Sequence, residues 1–186
     1  MSVPKPTDTI ERLMNAAEQR IRDKGYHAIS FRDLADDLGI KSSSVHYYFR
    51  RKEDLAVALV ERYSNNFFTR LEGLSATSAS GPESGCEKLK AISSLYRAAY
   101  TANGQICLCG MLGAEKTGLP VEVSGAVASF LAKNIKWVAD ALPQDLPQSQ
   151  RQARAEHIIA SLQGALILAK NLSGIEVFDR VVDDLL

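Results

Sequence analysis

FRDLADDLGIKSSSVHYYF, residues 31–49, carries two short apolar patterns of helical period on either side of a glycine. In the first, Leu34, Ala35 and Leu38 fall on one face, and Ser30 followed by Asp33 makes a box-like helix start. There the serine hydroxyl accepts from an early N–H, and the carboxylate favours the positive end of the helix. Gly39 ends that helix and permits a tight turn. In the second, over 42–48, Val45 and Phe49 at i and i+4 supply the buried face. Ser43, Ser44, His46 and Tyr47 are left on or beside the outer face, with Tyr48 and Lys52 at its edge.

Two short helices joined by DLGIKS, the second one polar, make a helix-turn-helix. Its second helix has the girth to lie in a DNA major groove roughly 12 Å wide. Serines let a helix sit deep in such a groove, and hydroxyls bond base edges or phosphates. A polar helix face is ordinarily just a solvated one, so the pattern alone leaves both readings open. The aromatics favour the groove, because Tyr47 and Tyr48 would otherwise be large rings with no partner.

Working outward, nearly every patterned segment has the helical period. Ile10, Leu13, Ala17 and Ile21 predict a first helix over about 8–24, capped by Thr7 or Asp8 and ended by Gly25. Leu55, Leu59, Tyr63, Phe67 and Leu71 predict a long helix over 52–75. SATSASGPESG, 75–85, reads as a loop. Further helices are expected over about 86–102, 107–115, 120–141, 150–172 and 175–185, and nothing alternates at period two. The expected fold class is all-α.

The 186 residues are 46% hydrophobic and 24% charged with a formal net charge of zero, as in an ordinary globular chain. Charge is nonetheless uneven: Arg20 to Lys52 holds eight Lys or Arg (20, 22, 24, 32, 41, 50, 51, 52) against four Asp (23, 33, 36, 37). MSVPKPTDTI lacks the apolar core of a signal peptide, and ALILA at 165–169 is far short of the roughly 20 residues of a spanning helix. A soluble cytoplasmic protein with no membrane partner is expected. Three cysteines, Cys86, Cys107 and Cys109, are expected to be free thiols.

GYHAISFRDLADDLGIKSSSVHYYFRRKEDLAVAL, 25–59, resembles the N-terminal DNA-binding domain of tetracycline-repressor-type (TetR/AcrR) regulators. The resemblance covers roughly residues 9–62. It lies in a Gly-aromatic-x-Ala-x-Ser-x-Arg-Asp-Leu-Ala start, a Gly-Ile turn, an apolar-x-x-Tyr-Phe recognition helix and a Lys-Glu-x-Leu opening, all in register. It implies a helix-turn-helix domain over 1–52 and an effector-binding and dimerisation domain over 53–186. It further implies Ser30 as a phosphate contact and Arg32 near the backbone or a base. Lys41, Ser42, Ser43 and Ser44 would enter the groove; His46, Tyr47 and Tyr48 would touch bases and phosphates; Lys52 would bind a phosphate. Lys41 stands where many members have a capping serine, so either Ser42 caps or Lys41 is an extra groove contact. Arg50 and Arg51 add two cations beside the DNA backbone.

Members of this family are homodimers on double-stranded operator DNA, commonly repressors released by a small molecule. In HIIASLQGALILAKNL, 157–172, Ile158, Leu162, Gly164, Ala165, Leu166 and Ala169 form a stripe that suits either a dimer interface or an internal core, and the resemblance favours the dimer. Phe67, Tyr96, Tyr100, Met111, Phe130 and Trp137 gather on successive helices as candidates for the effector site, although rings at helical spacing are ordinarily core. GQICLCGMLGAE, 104–115, suits tight packing of a buried helix. The sharper reading makes Cys107, nearest the expected helix start, a sensor thiol for an electrophile, since a helix N-terminus lowers a thiol pKa.

No spacing supplies a catalytic set, a metal site from Cys107, Cys109 and a histidine, or a cofactor motif. The expected protein is therefore a regulator and not an enzyme. The rivals are a helical small-molecule or redox enzyme whose helix-turn-helix is only structural, and a helical adaptor.

Overall fold

The computed structural model describes residues 6–75, 83–172 and 174–186. Among the described residues all regular structure is helical: α1 (Pro6–Lys24), α2 (Phe31–Leu38), α3 (Ser42–Tyr48), α4 (Lys52–Ser75), α5 (Glu83–Thr101), α6 (Leu108–Ala114), α7 (Val121–Ala141), α8 (Gln148–Asn171) and α9 (Glu176–Leu185). Single 3₁₀ turns at Tyr26–Ala28 and Lys116–Gly118 follow α1 and α6. The expected loop at 75–85 is shorter than the composition implied: Glu83–Gly85 already belong to α5, and residues 76–82 lie outside those described.

Local chemistry sets the ends of α2. Ser30 Oγ accepts from the Asp33 N–H at 3.0 Å, a cap worth about 1 kcal/mol. Gly39 takes the left-handed conformation (φ +63°), and the Ile40 N–H closes onto the Ala35 carbonyl at 3.0 Å in a Schellman-type stop. Val45 is fully buried and holds α3 to α2 by its apolar surface, about 1.5–3 kcal/mol.

From there α4 runs 24 residues out of the helix-turn-helix and packs against α5 and α7. α8 lies between α7 and α9, and α6 is wedged between α1 and α7. Leu13, Ala17 and Ile21 of α1, Leu55 and Leu59 of α4, and Ile158 and Leu162 of α8 belong to one continuous buried cluster.

The stripe on α8 faces inward. Ile158, Leu162, Ala165, Leu166 and Ala169 are all buried within the single chain, against α5, α7 and α9. Gly164 alone is partly open, with no atom within 4 Å of where a Cβ would stand. The outward face is instead His157, Ser161, Gly164, Leu168 and Leu172, at steps of four, three, four and four. Leu168 and Leu172 are 47% and 65% exposed.

Candidate nucleic-acid interface and effector core

The reading surface follows from the anchoring of α3. With Val45 buried and Phe49 partly so, Ser43, His46 and Tyr47 are exposed, and Tyr47 at 82% is the most exposed large apolar side chain among the described residues. His46 is braced edge-on against Phe31 of α2 (4.9 Å between centroids), and Tyr47 packs edge-on against the half-buried Tyr48 (5.1 Å). Arg32 of α2 is exposed nearby in sequence, whereas Ser30 is committed to its cap.

Lys41 occupies the N-cap of α3 in extended conformation without any side-chain cap bond. Ser42 is already the first helical residue, so the alternative in which Ser42 caps is set aside, and the exposed Lys41 ammonium is left for solvent or a ligand.

The turn into α4 separates its cations. Arg51 is engaged: its N–H and guanidinium both donate to Asp54, at 3.0 and 2.8 Å, which caps α4. That hydrogen bond raises the Arg51 pKa and lowers that of Asp54. Arg51 is thus not a second uncommitted cation beside Arg50. The Lys52 ammonium stands 4.1 Å from the centroid of the Tyr26 ring, a cation–π contact. Burial lowers the Lys52 pKa, and it pushes the Tyr26 phenol up to about 12.

The effector candidates divide. Phe67, Tyr96 and Phe130 meet edge-to-face at 5.4 to 5.5 Å and are joined by Tyr63 and Phe68, neither a sequence candidate. Cys107 belongs to the same cluster, because the Tyr63 hydroxyl donates to its sulfur at 3.5 Å. Tyr100 instead donates to the Ala169 carbonyl at 3.1 Å and ties α5 to α8. Met111 and Trp137 are half-buried against the core.

A polar thread runs through these rings. The Gln163 amide donates to the Tyr96 hydroxyl (3.3 Å), which donates to Asn134 (3.3 Å), which donates to the Phe130 carbonyl (2.8 Å). Gln163 also lies so close to Gly110 that a Cβ there would overlap its amide oxygen. Asn134 is fully buried on the inward face of α7 with Val127, Phe130 and Val138, while its neighbours Lys133 and Lys136 are exposed.

Cys107 is the N-cap of α6 and is fully buried, as is Cys109. Burial opposes a thiolate at Cys107, but hydrogen bonds from Cys109, Tyr63, Gln163 and the Gly110 N–H outweigh it and bring its pKa down to about 6. Cys109 is pushed the other way by burial and by its neighbour. On the far side of Tyr63 the guanidinium of Arg22 lies 5.4 Å from the ring centroid. Among the described residues no group of three or more His, Cys, Asp or Glu is placed to hold a metal ion, and no helix is long and apolar enough to cross a membrane.

An all-helical chain with a groove-sized polar helix braced on a buried stem has the form of a helix-turn-helix protein. Residues 13–59 match the family of bacterial regulatory proteins described as the tetR family. Over 98% of its length the chain is 26% identical to 94% of an uncharacterized HTH-type transcriptional regulator in the lacX 3'region of Lactococcus lactis subsp. lactis. Its whole length superposes on 97% of a TetR transcriptional regulator from Legionella pneumophila, with TM-score 0.83 and 28% identity. The fold also matches the regulator FadR from Bacillus subtilis in complex with stearoyl-CoA (TM-score 0.73, 16% identity, 94% of this chain and 96% of that one). Residues 13–59 thus carry the tetR-family domain, and over its whole length the chain is similar to TetR-type transcriptional regulators.

Proposed function

We propose that this regulator is a homodimeric repressor whose reading head, residues 1–52, holds operator DNA until an effector acts on the domain formed by residues 53–186. The observation that carries the reading is the 82% exposed Tyr47, flanked by Ser43 and His46, on a helix pinned from behind by Val45. Ser43, Ser44, His46, Tyr47 and Lys41 enter the groove, while Tyr48, Arg32 and Lys52 meet phosphates at its rim. Ser30 and Ser42 serve chiefly through the helix starts they occupy. Two such heads must sit about one helical turn apart on a pseudo-palindrome.

Dimerisation uses the outward face of α8, with Gly164, Leu168 and Leu172, together with the cleft of about 770 Å³ between α8 and α9 lined by His157, Ser161, Val177 and Val181. The bound stearoyl-CoA of the Bacillus relative supports a helical domain that takes up a small molecule. Here the ring cluster of Phe67, Tyr96 and Phe130, with its polar thread, supplies the apolar wall and the few polar groups such a site needs. Hydrogen bonds to the Cys107 sulfur lower its pKa and point to a soft electrophile as the effector class: once the buried sulfur is reached, it adds to an activated double bond, and a proton from solvent goes to the adjacent carbon.

Fluorescence anisotropy with duplexes from the gene's own upstream region tests the repressor reading. Saturable, sequence-dependent binding is expected; its absence would sink it. N-ethylmaleimide should release the DNA, and Cys107→Ser should abolish release while sparing binding. In a Cys86→Ser background, one thiolate should appear in ultraviolet titration near pH 6, absent from Cys107→Ser. A single step near the free-thiol value of about 8.5 would reject the sensor.

A further inference from the structure

α6 is tied to the reading head at both of its ends. Before it, the Gln105 amide donates to Asp23 near the end of α1 at 2.6 Å, and Gln105 is itself buried. After it, Glu115 accepts from the backbone N–H of Tyr26 at 3.0 Å, across 89 residues of sequence. Gly25 has φ +84° and lies directly under that carboxylate: a Cβ would overlap Glu115 Oε1. No other residue type accepts that conformation as readily and leaves that space. Three residues on, a Cβ at Gly118 would come within 2.9 Å of His27 Nε2, so the turns after α1 and α6 are packed face to face.

The residue Glu115 holds is the one that carries Lys52. Tyr26 is 4% exposed, with its ring 4.1 Å beneath the Lys52 ammonium, at the head of α4. A backbone N–H buried at this corner has to be satisfied, and the carboxylate does so with a charge-assisted bond. The ring orientation, and with it the ammonium, follow from the backbone that the bond fixes.

We infer that Glu115 is a positioning residue for DNA binding: its carboxylate fixes the Gly25–Tyr26 turn, and the Tyr26 ring in turn holds Lys52 where a phosphate is met. The inference rests on the phosphate role given to Lys52 above.

A salt titration of a generic duplex of about 30 base pairs tests this without a known operator, because phosphate contacts are independent of sequence. If the wild-type chain binds no duplex, the DNA-binding reading fails first and separately. If it binds, Glu115→Ala should weaken binding several-fold and lower the slope of log K against log salt by about one, as Lys52→Ala should. The double variant should be no weaker than Lys52→Ala alone. Glu115→Gln, which keeps an acceptor for the Tyr26 N–H, should restore most of the slope. A folded Glu115→Ala with the wild-type slope, or a double variant whose losses simply add, would overturn the inference. Should Glu115→Ala not fold, Glu115→Asp serves the same cycle. It keeps the charge but withdraws the carboxylate by one methylene, and an unchanged slope there is equally fatal.

Discussion

The reading head and the effector core use their aromatic residues in opposite ways. On α3, Tyr47 contributes nothing to the interior and is 82% exposed, while Val45 behind it does the anchoring. In the core, Phe67, Tyr96 and Phe130 are at once the wall of the candidate site and the packing that holds α4, α5 and α7 together. On the proposed reading, function and stability are carried by different side chains in the first region and by the same ones in the second. The first can change its ligand without risk to the fold, whereas the second cannot change without repacking.

Three substitutions put that contrast under strain. Phe130→Ala should give the largest effect, a loss of about 3–5 kcal/mol in denaturant unfolding, because a fully buried ring leaves a cavity. A loss below about 1 kcal/mol would mean the cluster is looser than its contacts imply. Next, Tyr47→Ala should leave unfolding within about 0.5 kcal/mol of the parent. It should nevertheless alter the preference among operator variants in anisotropy, while Lys52→Ala should weaken all sequences alike and lower the salt slope by about one. Wild-type behaviour of both would misplace the reading surface.

The smallest effect belongs to the head's own surface. Arg20 clamps Asp37 with bonds of 2.6 and 2.8 Å between α1 and α2, which raises the arginine pKa and lowers that of Asp37. The carboxyl is 40% exposed, so the pair is screened and Asp37→Asn should cost at most about 1 kcal/mol at pH 7. Since the folded pKa of Asp37 is the lower one, this contribution is complete above the unfolded value of about 3.9. It should disappear as pH falls further through the folded value; a difference that persists there would assign it to packing.

The same division explains what could be read from sequence. The helix-turn-helix was legible because its signals are local: Ser30 with Asp33, Gly39, and Val45 with Phe49 each act within a turn of helix. The starts of α3 and α4, and the end of α4, fell where the spacing put them. The outward face of α8 was not legible, because a stripe of Ile158, Leu162 and Leu166 looks alike whether its partner is another helix of the chain or a second copy. Tyr63, Gln163 and Asn134 escaped for a related reason: their partners lie 38 to 67 residues away, and no local pattern records them. The partner of Arg51 was not read either, because a charge says nothing of its neighbour: it pairs with Asp54 at the start of α4.

One proportion of α4 bears on how small a stimulus can suffice. Its 24 residues make a rod about 36 Å long, with Lys52 at one tip and Leu71 clasped in the core near the other. Pivoted near Leu71, such a rod carries its far tip through roughly half an ångström per degree of tilt. A tilt of about three degrees would carry that tip about 1.5 Å, half the length of an ammonium–oxygen hydrogen bond of about 3 Å. The helix thus has the proportions of a balance arm, in which a small rearrangement at one end is magnified at the other.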